Sequence, residues 1–483
     1  MYDIIVIGGG PAGVTAALRA RELGARVALV ERGRMGGTCT NDGCAPTRVL
    51  AKAARLVRDA EQFGDYGLSE HTPRVNLPRL LARTQQTIYR LQEKKQLVDH
   101  LRQAGVEVFA EAGEAGFEDA TTIAFDGQRL QAAKYVLAVG GHARRLPLPG
   151  AEHALTHSSV WSLTRQPRSI AIVGAAATGC QLASIFHAFG TQVHLLEVAP
   201  RILAGEDEAI SHSVSAAFAQ RGIHIVTGIA GVAGIEKAGD GLTLHYTSAA
   251  SAPASLSVES VLLAVGWVGN LEPLNLPAAG VQTERGYVKV NDFLQTTAAH
   301  IFAAGDLTGR MMLVQSASSE ARVAADNALL GITHTSAGAL HSIVPHGGFT
   351  DPEYGSVGLT ESRAREALGD DVAVATAAYS DLDRAVIDDR PEGFCKLIIS
   401  RGSQQLVGAH VVGEQAVEVV QMAAAGMAAG MTVSQLAELE LAYPTFTAII
   451  GLAARKLVRD LGLTPLAPAW RTLGRAAEWE QRA

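Results

Sequence analysis

The chain has 483 residues, 48% of them apolar, a formal charge of −7 and only four cysteines. That length exceeds one ordinary core, so about two to four domains are expected. The acidic balance without a basic block argues against nucleic acid, the cysteines are too few for a secreted disulfide framework, and no apolar run reaches the ~18–20 residues of a membrane span.

The first strand, Ile4–Ile7, begins almost at Met1, which predicts no signal peptide and a soluble cytoplasmic protein. The strand runs into Gly8, Gly10 and Gly13, then a helix, then a second strand ending in Glu31. Glycines at this spacing permit a tight turn and let the backbone approach a pyrophosphate, which the helix N-terminus favours. Glu31 sits where a carboxylate accepts hydrogen bonds from ribose hydroxyls. Strand, glycine turn, helix and terminal acid together predict a dinucleotide site.

Next comes GGTCTNDGCAPTR, with Cys39 and Cys44 five positions apart. In a regular helix that spacing is roughly 7.5 Å along the axis, whereas a disulfide wants Cα atoms about 4.4–6.8 Å apart. A bridge therefore needs an irregular first turn, which Gly43 allows. Two buried small thiols satisfy the same spacing, but in a cytoplasmic chain a cysteine pair beside a nucleotide turn points to redox work. Residues 85–105 have helical spacing and mixed charge, and read as a solvated helix. A strand at Tyr135–Val139 and the turn Arg145–Gly150, rich in proline and glycine, mark a boundary.

The nucleotide pattern then returns. Gly174, Ala176 and Gly179 stand for the glycine triplet and Glu197 ends the following strand; Gly8 to Glu31 and Gly174 to Glu197 are both 23 positions. Two such units suggest two dinucleotides, one held and one exchanged. Glu197 favours NADH because a carboxylate repels a 2′-phosphate; Arg201 is the nearby basic residue, so NADPH stays open. Cys180 and Cys395 stand alone and read as buried structural thiols. His142, His194, His341 and His346 read as surface or packed residues, and no ligand spacing predicts a metal site. The segment AVEVVQMAAAGMAAGMTV reads as a core or interface helix.

The ordered motifs GGGPAG, GGTCTNDGC, GAAATG with Glu197, AVGWVGN, IFAAGDLTG and FTDPEYGSVGLTE make the chain resemble the pyridine nucleotide–disulfide oxidoreductases of the glutathione reductase, lipoamide dehydrogenase and mercuric reductase type, from about residue 2 to about residue 460. The resemblance implies an α/β fold with two Rossmann-like dinucleotide-binding domains, for FAD and NAD(P), plus a C-terminal α+β dimerisation domain. It divides the chain into 1–147 (FAD-binding, first part), 148–270 (NAD(P)H-binding), 271–340 (FAD-binding, second part), 341–465 (dimerisation) and a tail at 466–483. It implies a homodimer in which each C-terminal domain completes the partner's site. Gly37, Thr38, Arg48, Ala115 and Gly140 fall against the FAD, Gly266 near the nicotinamide cofactor, and Gly305 with Asp306 near the ribityl chain. Cys44 matches the cysteine against the flavin and Cys39 the cysteine that attacks substrate. Electrons are then expected to pass from NADH through FAD to the Cys39–Cys44 pair and on to an acceptor.

Departures leave that acceptor open. Thiol-reducing members carry a histidine and, five residues later, a glutamate near the C-terminus; here Tyr443 and Ala448 stand there. Tyrosine, with a pKa near ~10, is a poor proton shuttle at neutral pH. Mercuric reductases lack that histidine too, but deliver metal through a C-terminal cysteine pair that WRTLGRAAEWEQRA does not contain. The lysine and glutamate that pair near the flavin appear as Arg48 and Gln181, which predicts a fixed positive charge without its carboxylate. Trp267 and Gly269 replace an arginine and a proline in AVGWVGN, while Asn270 remains. The competing functions are a metal-ion reductase of the mercuric or copper kind, a flavin diaphorase or oxidase, and a redox sensor without turnover.

Overall fold

In the computed structural model, residues 1–463 are described apart from 70, 72, 334, 335, 337 and 340. The tail at 466–483 and parts of the stretch HTSAGALHS lie outside the described residues.

The chain opens with β1 (Tyr2–Ile7), α1 (Pro11–Glu22) and β2 (Val27–Val30). Ile4–Ile7 of β1 and all of β2 are apolar runs buried on each face, as parallel strands covered by helices must be. β1 pairs in parallel with β2 on one side and with Gln128–Leu137 on the other. That last strand is longer than the Tyr135–Val139 expected. Its first half joins an antiparallel hairpin with Thr122–Phe125, and its second half pairs in parallel with Ile301–Ala303. The chain thus leaves this sheet and returns to it some 160 residues later, through the strand that precedes Gly305.

Between departure and return lies a second parallel sheet, ordered His224–Val226, Gln192–Leu196, Ser169–Val173, Ser260–Leu263. The helices Ala177–Ala188 and Glu208–Arg221 belong to this unit, and a three-stranded antiparallel meander accompanies it. After residue 345 comes a five-stranded antiparallel sheet covered by Ala416–Ala428 and Ala448–Asp460. Ala416–Ala428 is the helix expected from the alanine- and glycine-rich segment, and it buries Val419, Val420 and Ala423 in that core.

The region 85–105 differs from its expectation. It is two helices, α4 (Leu77–Lys95), which starts earlier under an Asn76 cap, and Leu97–Gln103. They break at Gln96, whose φ of 42° is left-handed. Nor is α4 merely solvated: Thr84 and Ile88 are buried, and its last turn holds the cysteine segment.

Candidate active site

The two nucleotide turns are built alike. A Cβ on Gly8 (φ 109°) would lie 2.3 Å from the Ala138 carbonyl oxygen, and one on Gly13 would lie 1.8 Å from the Gly8 oxygen. No side chain fits at either place, so helix and strand close onto the turn. Gly174 and Gly179 repeat both contacts, at 2.3 Å from the Ala264 oxygen and 1.8 Å from the Gly174 oxygen. Glu31 accepts hydrogen bonds from the N–H groups of Gly9 (2.6 Å) and Gly33 (2.8 Å). Glu197 accepts from Ala175 (2.5 Å) and Ala199 (2.9 Å) at the same places of the repeat. Ala176 costs the second turn nothing in backbone terms: its φ, ψ of −78°, −170° match the −76°, −173° of Gly10.

Gly10 and Gly37 form the floor of a cavity of about 1290 Å³, larger than the ~300–1,000 Å³ of an ordinary small-molecule pocket. A Cβ on Gly37 (φ 61°) would sit 2.9 Å from the Gly10 Cα, while one on Gly10 would meet nothing nearer than 3.6 Å. Gly8, Glu31, Thr38, Ala115 and Gly140 line this cavity, as do Gly305 and Asp306. Cys39 and Cys44 line it as well. Gly13, Arg48, Gly174, Gly179, Glu197, Gly266 and Tyr443 do not; the second unit reaches the cavity instead through Ala177, Thr178 and Gln181, at the start of its first helix. The Ser316 hydroxyl, at the same wall, is buried and has no hydrogen-bond partner. A glycine cradle open to the cavity, a carboxylate at the strand end and an unsatisfied buried hydroxyl fit a bound FAD.

The cysteines occupy a broken helix. α2 (Gly37–Asn41) ends at Asp42, and α3 (Cys44–Asp59) starts again after Gly43. The irregular turn expected at Gly43 is therefore present, and Cys44 is the first residue of a sixteen-residue helix. All four cysteines are free thiols, with Cys180 and Cys395 buried as expected. Cys39 and Cys44 hydrogen-bond to each other, and this chiefly draws Cys39 down to about 7. Burial opposes the shift; the Lys95 charge and the Cys44 N–H support it. The same hydrogen bond, then burial, pushes Cys44 far up. The pair thus gives up one proton readily and holds the second, as coupled sites do.

Asp306 is raised by burial and by the neighbouring charge of Glu320. Glu320 is fully buried and accepts from the Gly305 N–H (2.7 Å) and from His341 (2.8 Å). His341, expected to be a surface or packed residue, lines the cavity and fastens this carboxylate to its wall. His142 bonds Asn270 Oδ1 at 2.7 Å, and Asn270 in turn donates to the Val139 carbonyl. His157 drew no attention in the sequence, yet it is buried, lines the cavity and lies 4.5 Å from the Trp267 ring. No motif flags it, because its neighbours Asp42 and Trp267 are remote in the chain.

One expectation is overturned. Arg48 has a carboxylate: its guanidinium lies 3.5 Å from Glu353 and stacks over the Phe349 ring at 3.8 Å. Arg48 does not itself line the cavity, whereas Phe349 beneath it does, as does Gln181, whose amide oxygen accepts from the Phe349 N–H. The compensating acid comes from the C-terminal sheet rather than from the second nucleotide helix. Tyr443 is 76% exposed, and its hydroxyl donates to Asp383 at 2.6 Å. Among the described residues no cluster of three or more metal-ligating side chains occurs, and no helix is long and apolar enough to cross a membrane.

A parallel-sheet nucleotide turn, its repeat, and a dithiol sharing one cavity with the first define a two-dinucleotide dithiol oxidoreductase. The chain belongs to the pyridine nucleotide-disulphide oxidoreductase family: the family's model matches residues 2–321, and its dimerisation domain matches 344–454. It is 31% identical to a mercuric reductase of Staphylococcus aureus over 95% of this chain and 83% of that one. It is also 31% identical to a dihydrolipoyl dehydrogenase of Zymomonas mobilis, over 92% and 96%. The HOCl-induced flavoprotein disulfide reductase RclA from Escherichia coli, solved as a Cu(II) complex, superposes with a TM-score of 0.82 at 26% identity, covering 94% of this chain and 99% of that one. The protein is thus an oxidoreductase of an FAD-dependent family that uses NAD(P)H.

Proposed function

We propose that the protein takes electrons from NADH through FAD to the Cys39–Cys44 pair and passes them to an acceptor, acting as a homodimer. The observation that carries this reading is the placement of both thiols on the cavity that also exposes the Gly10–Gly37 cradle. FAD, when bound, supplies electron transfer between the nicotinamide and the dithiol. The chain's own residues supply the rest. Gly8, Gly13 and Glu31 set the nucleotide turn, Asp306 and Ser316 present polar groups at the cavity wall, and the α3 N-terminus with the Cys44 hydrogen bond keeps Cys39 ionised near neutral pH.

NADH is favoured over NADPH by Glu197, and by Arg201, whose guanidinium already donates to the carbonyls of Leu203, Ala204 and Glu206. Tyr443, Val386 and Ile387 are all exposed, which supports a subunit interface at this end of the C-terminal domain. Adding NADH anaerobically to the oxidised protein should release two titratable thiols per chain, and NADPH at equal concentration should release them more slowly. No thiol release would refute the reading.

A metal-ion reductase is the second reading. Thiolates are soft ligands suited to copper and mercury, Cys39 ionises near neutrality, and the matched relatives include a mercuric reductase and a reductase solved with Cu(II). NADH oxidation that depends on Cu(II) or Hg(II) and is lost in C39S would favour it over a disulfide acceptor.

A further inference from the structure

We propose that Lys95 is a positioning and specificity residue of the dithiol, a cation fastened beside Cys39 that favours anionic acceptors over neutral ones. The proposal deepens the reading above and rests on it.

α2 has five residues, too few to stand alone. It is strapped to the last turn of α4 by two side chains. Gln92 donates to Asn41 Oδ1 at 2.5 Å, and Lys95 Nζ donates to Thr40 Oγ1 at 2.9 Å. Thr40, the neighbour of Cys39, is buried. An ammonium has three donors, and Lys95 has no carboxylate within ion-pair distance among the described residues. Neither Thr40 nor Lys95 lines the cavity, so the charge approaches Cys39 from outside it. The charged and titratable groups facing Cys39 are Lys95 from α4, Cys44 from α3 and Asp306 from the far wall, and Lys95 alone among them is cationic.

Competition between two alkylating reagents on reduced, FAD-loaded protein tests this. Iodoacetate is anionic and iodoacetamide neutral, and both react with the same thiolate, so the ratio of their rates at Cys39, read by peptide mass spectrometry, reports local charge and not thiolate fraction. K95Q should lower the iodoacetate preference about threefold and K95E about tenfold, the scale of a unit charge a few ångströms away in water. K95R should stay near wild type. Mere loosening of α2 would change both rates together and leave the ratio in place. A ratio unmoved in both K95Q and K95E overturns the proposal. Alkylation needs no turnover, so failure of electron delivery would show in the thiol count and leave this ratio intact.

Discussion

Cys39 and Cys44 behave as one acid with two unequal steps. Alkylation of Cys39 should accelerate as pH rises through about 7, where its thiolate forms. Removing the Cys44 donor in C44A should move that midpoint up toward the ordinary thiol value of ~8.5; an unchanged midpoint would show that the mutual hydrogen bond does not set it. Arg48 answers to a different logic. Its position after Cys44 suggests a flavin contact, and its guanidinium also meets Glu353, a residue 305 positions away that balances its charge. R48M should therefore leave the flavin midpoint potential near wild type and cost roughly 1 kcal/mol of stability through a less well paired, largely buried carboxylate. A clear fall in potential would return Arg48 to the flavin. The amino-acid sequence could not disclose Glu353 or the His341–Glu320 contact, because no local periodicity links residues so far apart.

At the scale of elements, the glycine turns were legible and the cysteine strap was not. Turn chemistry is largely local: Gly13 is demanded by the Gly8 oxygen within the β1–α1 hinge and Gly8 by its own left-handed φ, although the carbonyl that a Gly8 side chain would strike is that of Ala138. The strap is tertiary, since nothing in the spacing of 85–105 reveals that Gln92 and Lys95 reach Asn41 and Thr40. The two kinds of glycine should separate on mutation. G13A places a methyl 1.8 Å from a carbonyl oxygen and should lose several kcal/mol, visible as misfolding or a sharply lower Tm. G10A has room inside the fold but intrudes on the cavity, so it should fold and purify with much less FAD. Equal flavin content in G10A and wild type would contradict the cradle.

Across the whole molecule, the C-terminal sheet is tied to the second nucleotide unit by charge. His346 Nε2 lies 3.3 Å from Glu206, whose other oxygen accepts from Ser356. Burial works against both charges, but their mutual attraction prevails, raising His346 and lowering Glu206. The His346 share of stability is full below its unfolded value of ~6.5 and is lost as pH rises through the raised folded value. The Glu206 share is present above ~4.5 and is lost as pH falls through the lowered one. The Tm difference between wild type and H346Q should thus be largest between about pH 5 and 6 and small at pH 9; a difference that grows with pH would contradict this. The order of the motifs made the family and the fold legible before any coordinates, whereas this seam between units was hidden, because it joins residues whose roles appear only when the sheets pack. Whether electrons reach the sulfur pair is read from the stoichiometry of an anaerobic titration of the FAD-loaded protein with NADH. Wild type should take up about two electron pairs per FAD and C44S one; uptake of a single pair by both would contradict transfer to the sulfurs.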